Sequence, residues 1–294
     1  MSSKSSKSSK TNTRSGSRTS SKKPRRHSGV KQWTAKTADP FELYELAVQT
    51  PDAECDFFEK VYKKANGTLP RILREDFCAT AAICRDWVTR RKDNLAFGVD
   101  LSSKPLTWAT KHKIRQLPPE QGGRISLVNK DVLHVEGTVP QADVISAGNF
   151  SWWVFTTREL VREYFTSVRK SLAPGGLFVL DLMGGTRVMD EMEERRRCKG
   201  FTYVWEQHSF DPLTSAYRCY IHFDFKTGPR MNRAFRYDWR LWTVTETLEL
   251  LREAGFANPT VYLEGDAKGG GGNGVFSPAR KGENCESYLA YIVA

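Results

Sequence analysis

Leu73-Arg74-Glu75-Asp76-Phe77-Cys78-Ala79-Thr80-Ala81 is the stretch on which the fold turns. A short run ending in acids passes straight into small residues. A helical period with Ile83 and Trp87 one turn apart then continues to Arg90. The pattern predicts a strand over 71–75 and a helix from about 79 to 90. A strand, a tight turn and a helix make the first half of a βαβ unit, from which parallel sheets are built.

Downstream, 95–100 reads as strand two, with a helix opened by Ser102 or Ser103 and Pro105 in its first turn. Strand three is predicted at 124–128 and strand four at 143–147. Leu160, Val161, Tyr164, Phe165, Val168 and Leu172 share one face of a helix over 158–172, which Pro174-Gly175-Gly176 stops; strand five follows at 177–183. Then the period falls to two. Residues 201–207, 216–225 and 231–241 alternate as an antiparallel meander does. Thr243-Val244-Thr245-Glu246 fits a capping box for a helix closing at Gly255. The last two strands fall at 260–263 and 287–293, separated by a glycine-rich loop at 269–274. Upstream, 41–48 and 55–64 read as leading helices split by Thr50-Pro51. The expected architecture is α/β: a doubly wound, mostly parallel, seven-stranded sheet over 39–294, with an antiparallel lid inserted at about 200–242.

The chain has 294 residues and a net charge of +11, from 45 basic and 34 acidic residues. All of that excess lies in residues 1–38, which carry eleven basic residues and no acid, so the body is neutral. A body that grips a nucleic-acid backbone normally carries its own basic surface. The Ser/Lys/Arg tail has too little apolar area to order itself and reads as disordered. Its Lys22-Lys23-Pro24-Arg25-Arg26 run suits nuclear import, a polyanion contact or simple solubilisation. No apolar run long enough for a membrane span or a secretory signal is present. The expected location is therefore intracellular, nuclear or cytoplasmic, with a mitochondrial leader disfavoured by the lack of an amphipathic face. The six cysteines are scattered with no zinc-like spacing, so no metal site is expected.

In a doubly wound sheet, ligands bind beyond the carboxyl ends of the strands. Glu75, Asp100, Asp131 and Asn149 stand there. Asp100 suits a ribose diol, because one carboxylate accepts from two hydroxyls. Asp131 suits an adenine amino group, with the Val132 N–H free for a ring nitrogen. The turn after strand one lacks the G-x-G-x-x-G of a dinucleotide site, whereas a nucleoside cofactor without a pyrophosphate tolerates small residues such as Ala79 and Ala81.

Together with Gly98-Val99-Asp100, Asn149-Phe150-Ser151-Trp152-Trp153 and Pro174-Gly175-Gly176-Leu177-Phe178-Val179-Leu180-Asp181, the opening stretch resembles class I S-adenosylmethionine-dependent methyltransferases, nearest a poorly characterised branch with an R-E-D-F-C-[GA]-T-A box. The resemblance runs from about residue 41 to the C-terminus. It implies S-adenosyl-L-methionine as cofactor, contacted by Glu75, Cys78, Ala79, Ala81, Asp100, Leu101, Asp131, Val132 and Asn149. Phe77 and Ala79 stand where glycines are common in that family.

No catalytic residue is assigned. Methyl transfer from a sulfonium needs chiefly alignment. Trp152 and Trp153 read equally as walls of a methyl channel or as core. Arg236 and Arg240 alternate with Phe235, Tyr237 and Trp239, and read either as a clamp on an acidic acceptor or as a solvated face with Asp238 pairing them. A small-molecule acceptor is the expected substrate. The alternatives are an RNA or protein acceptor docked through the tail, and a noncatalytic binding module.

Overall fold

In the computed structural model, residues 33–269 and 271–294 are described. Five parallel strands, β1 (Ile72–Asp76), β2 (Leu95–Asp100), β3 (Ile125–Asn129), β4 (Ala142–Ala147) and β5 (Leu172–Gly184), form one side of the larger sheet, with β3 at its edge. The lid strands β6 (Met192–Cys198), β7 (Phe201–Phe210), β8 (Ala216–Phe225) and β9 (Met231–Arg240) form a separate antiparallel sheet. The chain then returns through β10 (Thr260–Asp266), β11 (Gly272–Pro278) and β12 (Tyr288–Val293). The strand order is β11-β10-β12-β5-β4-β1-β2-β3, with β12 antiparallel to β5.

The sheet therefore has eight strands where seven are expected. The extra one, β11, comes out of the glycine-rich loop and hydrogen-bonds to the edge of β10. Its sequence, Gly-Asn-Gly-Val-Phe-Ser-Pro, has no apolar alternation and almost all of it is exposed, so backbone pairing alone makes it a strand. The lid is likewise longer than the meander pattern predicts. Strand β6 reads Met-Glu-Glu-Arg-Arg-Arg-Cys and lies at an edge with charged side chains outward, a composition that hides a strand from any apolar pattern.

Helices cover both faces. Helices α1 (Pro40–Val48) and α2 (Pro51–Asn66) lead into β1; α3 (Ala82–Arg90), α4 (Ser103–His112) and the single turn α5 (Pro119–Gly122) connect the first strands. Phe57, Phe58 and Val61 of α2 pack with Ile83 and Trp87 of α3 and Leu106 of α4 on one side. On the other, α6 (Arg158–Ser171) and α7 (Val244–Glu253) bury Val161, Phe165, Val168, Leu250 and Leu251. The capping box at Thr243 and Glu246 is present in both directions. A third core joins α1 to the lid through Leu43, Ala47, Phe201, Ile221 and Phe223. Trp33 is 5% exposed within that core, so the ordered body starts upstream of the expected boundary at residue 39. One aromatic ring amid polar neighbours is below the reach of periodicity. The disordered-tail expectation for residues 1–32 lies outside the described residues.

Candidate functional site

The turn between β1 and α3 alternates its backbone hand. Phe77, Ala79 and Ala81 have φ of 56°, 44° and 55°, the left-handed region, although none is glycine. Such φ values cost an L-residue about 1–2 kcal/mol each, so the surroundings must hold the turn. Three contacts do so. The Cys78 N–H donates to Val99 O at 3.0 Å, the Ala79 N–H to Asp100 Oδ2 at 2.9 Å, and the Ala81 N–H to Cys78 O at 2.6 Å. The close seating of Cys78 on β2 needs Gly98, where a Cβ would stand 2.8 Å from the Cys78 sulfur. Helix α3 accordingly starts at Ala82, three residues later than the expected 79.

Asp100 also accepts the Ser102 N–H on Oδ1 at 2.8 Å, which leaves its remaining lone pairs for a ligand. Burial raises its carboxyl above the ordinary range, against the pull of those two backbone donors. Beside it Leu101 is 73% exposed at the sheet's ligand edge, an apolar surface for a flat ring. Asn129 ties this corner together by donating to the carbonyls of Asp100 and Leu101 at 3.0 and 2.8 Å. Asp131 caps the following 3-10 turn through Leu133 N at 3.0 Å, and Val132 is buried. Asp100, Leu101, Asp131 and Val132 thus gather over the ends of β2 and β3.

The other half of the site lies over β1, β4 and β5. Glu75 is buried, and its Oε2 accepts the Cys84 N–H at 3.0 Å in the first turn of α3. Burial pushes it up to about 7, with the Cys84 bonds opposing. At the exit of β4, Asn149 and Phe150 are both left-handed, and Asp181 of β5 pins them by accepting their N–H groups at 2.7 and 2.8 Å. Asp181 too is pushed up to about 7 by burial.

A third acid, missed by the sequence reading, joins them. Glu54 in the first turn of α2 is 7% exposed, and its Oε2 has no hydrogen-bond partner among the described residues. A Cβ on Gly148, one residue past β4, would stand 3.6 Å from its Oε1. Burial, and then the charges of Glu75 and Asp181, raise it to about 8. The only trace of Glu54 in the sequence is its place beside Thr50-Pro51, where it reads as an ordinary first-turn acid favoured by the helix dipole.

Above these acids stands an aromatic wall. Tyr44 of α1 faces β9 of the lid through Phe235. Tyr44 meets Phe235 at 5.0 Å, Tyr237 meets Trp239 at 4.5 Å, and Phe150 meets Trp239 at 6.2 Å. The Arg196 guanidinium reaches from β6 to the Ala47 carbonyl, fastening lid to α1. Alongside, an open cavity of 1710 Å³ lies between the lid and the β5, β10 and β12 side of the sheet, lined by Phe150, Met183, Trp205, Gln207 and Tyr288 among others.

The remaining expected residues are packed or paired within the protein. Cys78 is buried against Gly98, and burial pushes its thiol well up, so it is an inert packing group. Trp152 and Trp153 are both fully buried: Trp152 donates to Asp181 O at 2.9 Å and stacks on Trp242, while Trp153 packs on Trp239. They are core, and the aromatic wall is made by Phe150, Tyr44 and the lid instead. Arg236 and Arg240 lie on the face of β9 opposite Tyr237 and Trp239. Arg236 pairs with Asp238 at 2.6 Å; Arg240 lies 3.9 Å over the Trp242 ring and bonds Glu246 at 3.2 Å. Both arginines thus have protein partners: Arg236 is exposed beside Asp238, whereas Arg240 is half-buried and its Nε has no hydrogen-bond partner among the described residues.

On the lid, Glu193, Glu206 and His222 hold ligand atoms within 4.8 Å of one another. His222 Nδ1 accepts the Arg233 N–H at 3.0 Å, which leaves the ring proton on Nε2, facing Glu206 at 2.6 Å. That nitrogen therefore offers no lone pair to an ion, and Arg230 already neutralises Glu193 at 2.8 Å.

No family model and no curated protein matches the chain. Solved structures do. An S-adenosylmethionine-dependent methyltransferase from Clostridium acetobutylicum aligns with TM-score 0.60 at 17% identity, over 86% of this chain and 96% of that one. The CcbJ methyltransferase from Streptomyces caelestis gives 0.61 at 16%, over 84% and 96%. CalS10, an amino pentose methyltransferase from Micromonospora echinaspora solved with S-adenosylmethionine bound, gives 0.60 at 17%, over 87% and 97%. The chain thus has the Rossmann-like methyltransferase fold, with a mostly parallel sheet and an added antiparallel one. No described helix is long and apolar enough to cross a membrane.

Proposed function

We propose that the chain is an S-adenosylmethionine-dependent methyltransferase acting on a small-molecule acceptor. The observation that carries this reading is the turn over 77–81: three left-handed residues in alternation, clipped to Asp100, where the cofactor's nucleoside and amino-acid halves would meet. The residues present fit that group. Asp100 has lone pairs for the ribose diol and Leu101 an exposed apolar face for adenine, while Asp131 and Val132 lie beside it. Towards β4 and β5 the buried acids Glu54, Glu75 and Asp181 suit a ligand with net positive charge. When bound, the cofactor supplies a methyl group on a sulfonium that is already activated for in-line displacement.

The chain's own contribution is alignment and exclusion of water. Asp181 fixes the β4 exit by holding Asn149 and Phe150, and Phe150 packs on Trp239 of the lid at 6.2 Å, which links that exit to the lid's aromatic rings. The open cavity beside Phe150 offers room for a small-molecule acceptor. Acceptors of this kind accord with the amino pentose methyltransferase among the structural neighbours. The test is titration calorimetry with S-adenosylmethionine followed by a labelled-methyl screen over metabolites, protein and RNA. No binding of the cofactor overturns the reading; label in RNA or protein overturns the acceptor.

A further inference from the structure

Glu54 is the one member of the acid cluster with a fully buried oxygen that has no hydrogen-bond partner among the described residues. Glu75 is partly satisfied by α3 and Asp181 by the β4 exit, whereas Glu54 Oε2 is buried with no donor among the described residues. An unmet buried carboxylate oxygen costs several kcal/mol unless a donor arrives, and a charged donor serves best.

The position of Glu54 says what that donor is. Gln49, just before α2, accepts from Thr80 at 3.2 Å, and Arg85 of α3 pairs with Glu45 of α1 at 2.7 Å, so the α1–α2 elbow lies on the left-handed turn. From there Glu54 reaches Gly148 at the β4 exit. Asp100 and Leu101 lie on the other side of β1, towards β3. A nucleoside held at Asp100 therefore leaves its 5′ substituent running across β1 towards β4 and Glu54. On that substituent the sulfonium has no N–H or O–H to give, but the primary ammonium has three N–H donors.

We propose, resting on the methyltransferase reading, that Glu54 is the counter-ion for the α-ammonium of the cofactor's amino-acid tail. Asp52, Glu75 and Asp181 are the charges that bear on it, all negative, so the empty site favours the neutral acid and an arriving ammonium favours the anion.

S-Adenosylhomocysteine, which keeps the ammonium, and 5′-methylthioadenosine, which lacks the whole tail, are the probes. Glu54→Gln keeps the shape and removes the charge. Calorimetry should show S-adenosylhomocysteine weakened at least tenfold in Glu54→Gln and methylthioadenosine unchanged within twofold. In wild-type protein at pH 7, repeating the titration in buffers of different ionisation enthalpy should show proton release with the first ligand and none with the second. Equal weakening of both ligands or no weakening of either overturns the assignment, as does proton release that persists in Glu54→Gln, which would place the proton on Glu75 or Asp181. Should Glu54→Gln not fold, Glu54→Met takes its place with the same two ligands and the same outcomes. Wild-type protein that binds neither ligand refutes the methyltransferase reading itself.

Discussion

Asp100, at the end of β2, accepts the backbone N–H of Ala79 at 2.9 Å, so an acid on one strand holds the turn that leaves its neighbour. One carboxylate thereby serves as both a structural clip and the group offered to a ribose diol. Asp100→Ala is expected to weaken cofactor binding by about 1.5–3 kcal/mol, roughly 10- to 150-fold, because buried hydroxyls lose a charged acceptor. It also leaves the Ala79 and Ser102 N–H groups without their acceptor, so unfolding free energy should fall by about 1–3 kcal/mol. Calorimetry and urea denaturation measure the two effects separately. Unchanged affinity removes Asp100 from the site.

The strain at Ala79 has its own signature. At φ 44° glycine avoids a cost of about 1–2 kcal/mol, while its extra freedom in the unfolded chain returns about 0.4–1 kcal/mol. Ala79→Gly should therefore stabilise the protein by roughly 0.5–1 kcal/mol, and Ala79 is the right place to look because its Cβ is not sealed in the core. Ala81→Gly would lose core contacts and Phe77→Gly would lose the rings of Phe155 and Tyr164. A destabilised Ala79→Gly protein would show that the turn is not strained.

Arg74 and Asp76 explain the acids and base flanking Glu75. Two residues apart on β1, they point to the α6 side, where Arg74 Nε meets Asp76 Oδ1 at 2.7 Å, both side chains fully buried, and the Tyr164 hydroxyl donates to Asp76 Oδ2 at 2.9 Å. Asp76→Ala strands a buried guanidinium and should cost about 3–5 kcal/mol in urea unfolding. Replacing both together, as Arg74→Met with Asp76→Leu, should recover most of that loss. A double variant as unstable as the single would mean that the pair contributes more than mutual neutralisation.

Much of this was legible in the sequence because the sheet's chemistry sits where strands end. Asp100 declares itself by closing an apolar run, and the capping box at Thr243 by spacing alone. What could not be read depends on contacts across the chain. Glu54 looks like any first-turn acid until α2 is laid against Gly148. Strand β11 exists through pairing with β10, without side-chain pattern, and β6 hides behind charge. Trp152 and Trp153 sit in a motif that invites a functional reading, yet their rings fill the space under α6 and the lid. Arg236 and Arg240 show the remaining limit: alternation says which residues share a face, and only packing says how far each is covered.

The buried acids give the stability a pH dependence of definite sign. Burial raises Glu54 to about 8 and Glu75 and Asp181 to about 7. In the unfolded chain each loses its proton near pH 4, so from there to about pH 7 the folded state binds more protons than the unfolded one. Stability then falls as pH rises, by up to about 1.4 kcal/mol per pH unit for each group, opposite to the behaviour of a carboxylate held in a salt bridge. Other titrating groups contribute in parallel, which makes the comparison with Glu54→Gln the useful one. The variant lacks one proton of uptake, so its ligand-free thermal midpoint should exceed that of the wild type by an amount that grows from pH 5 to pH 8 and then levels off. Parallel curves across that range would place Glu54 in water rather than under α1 and the lid.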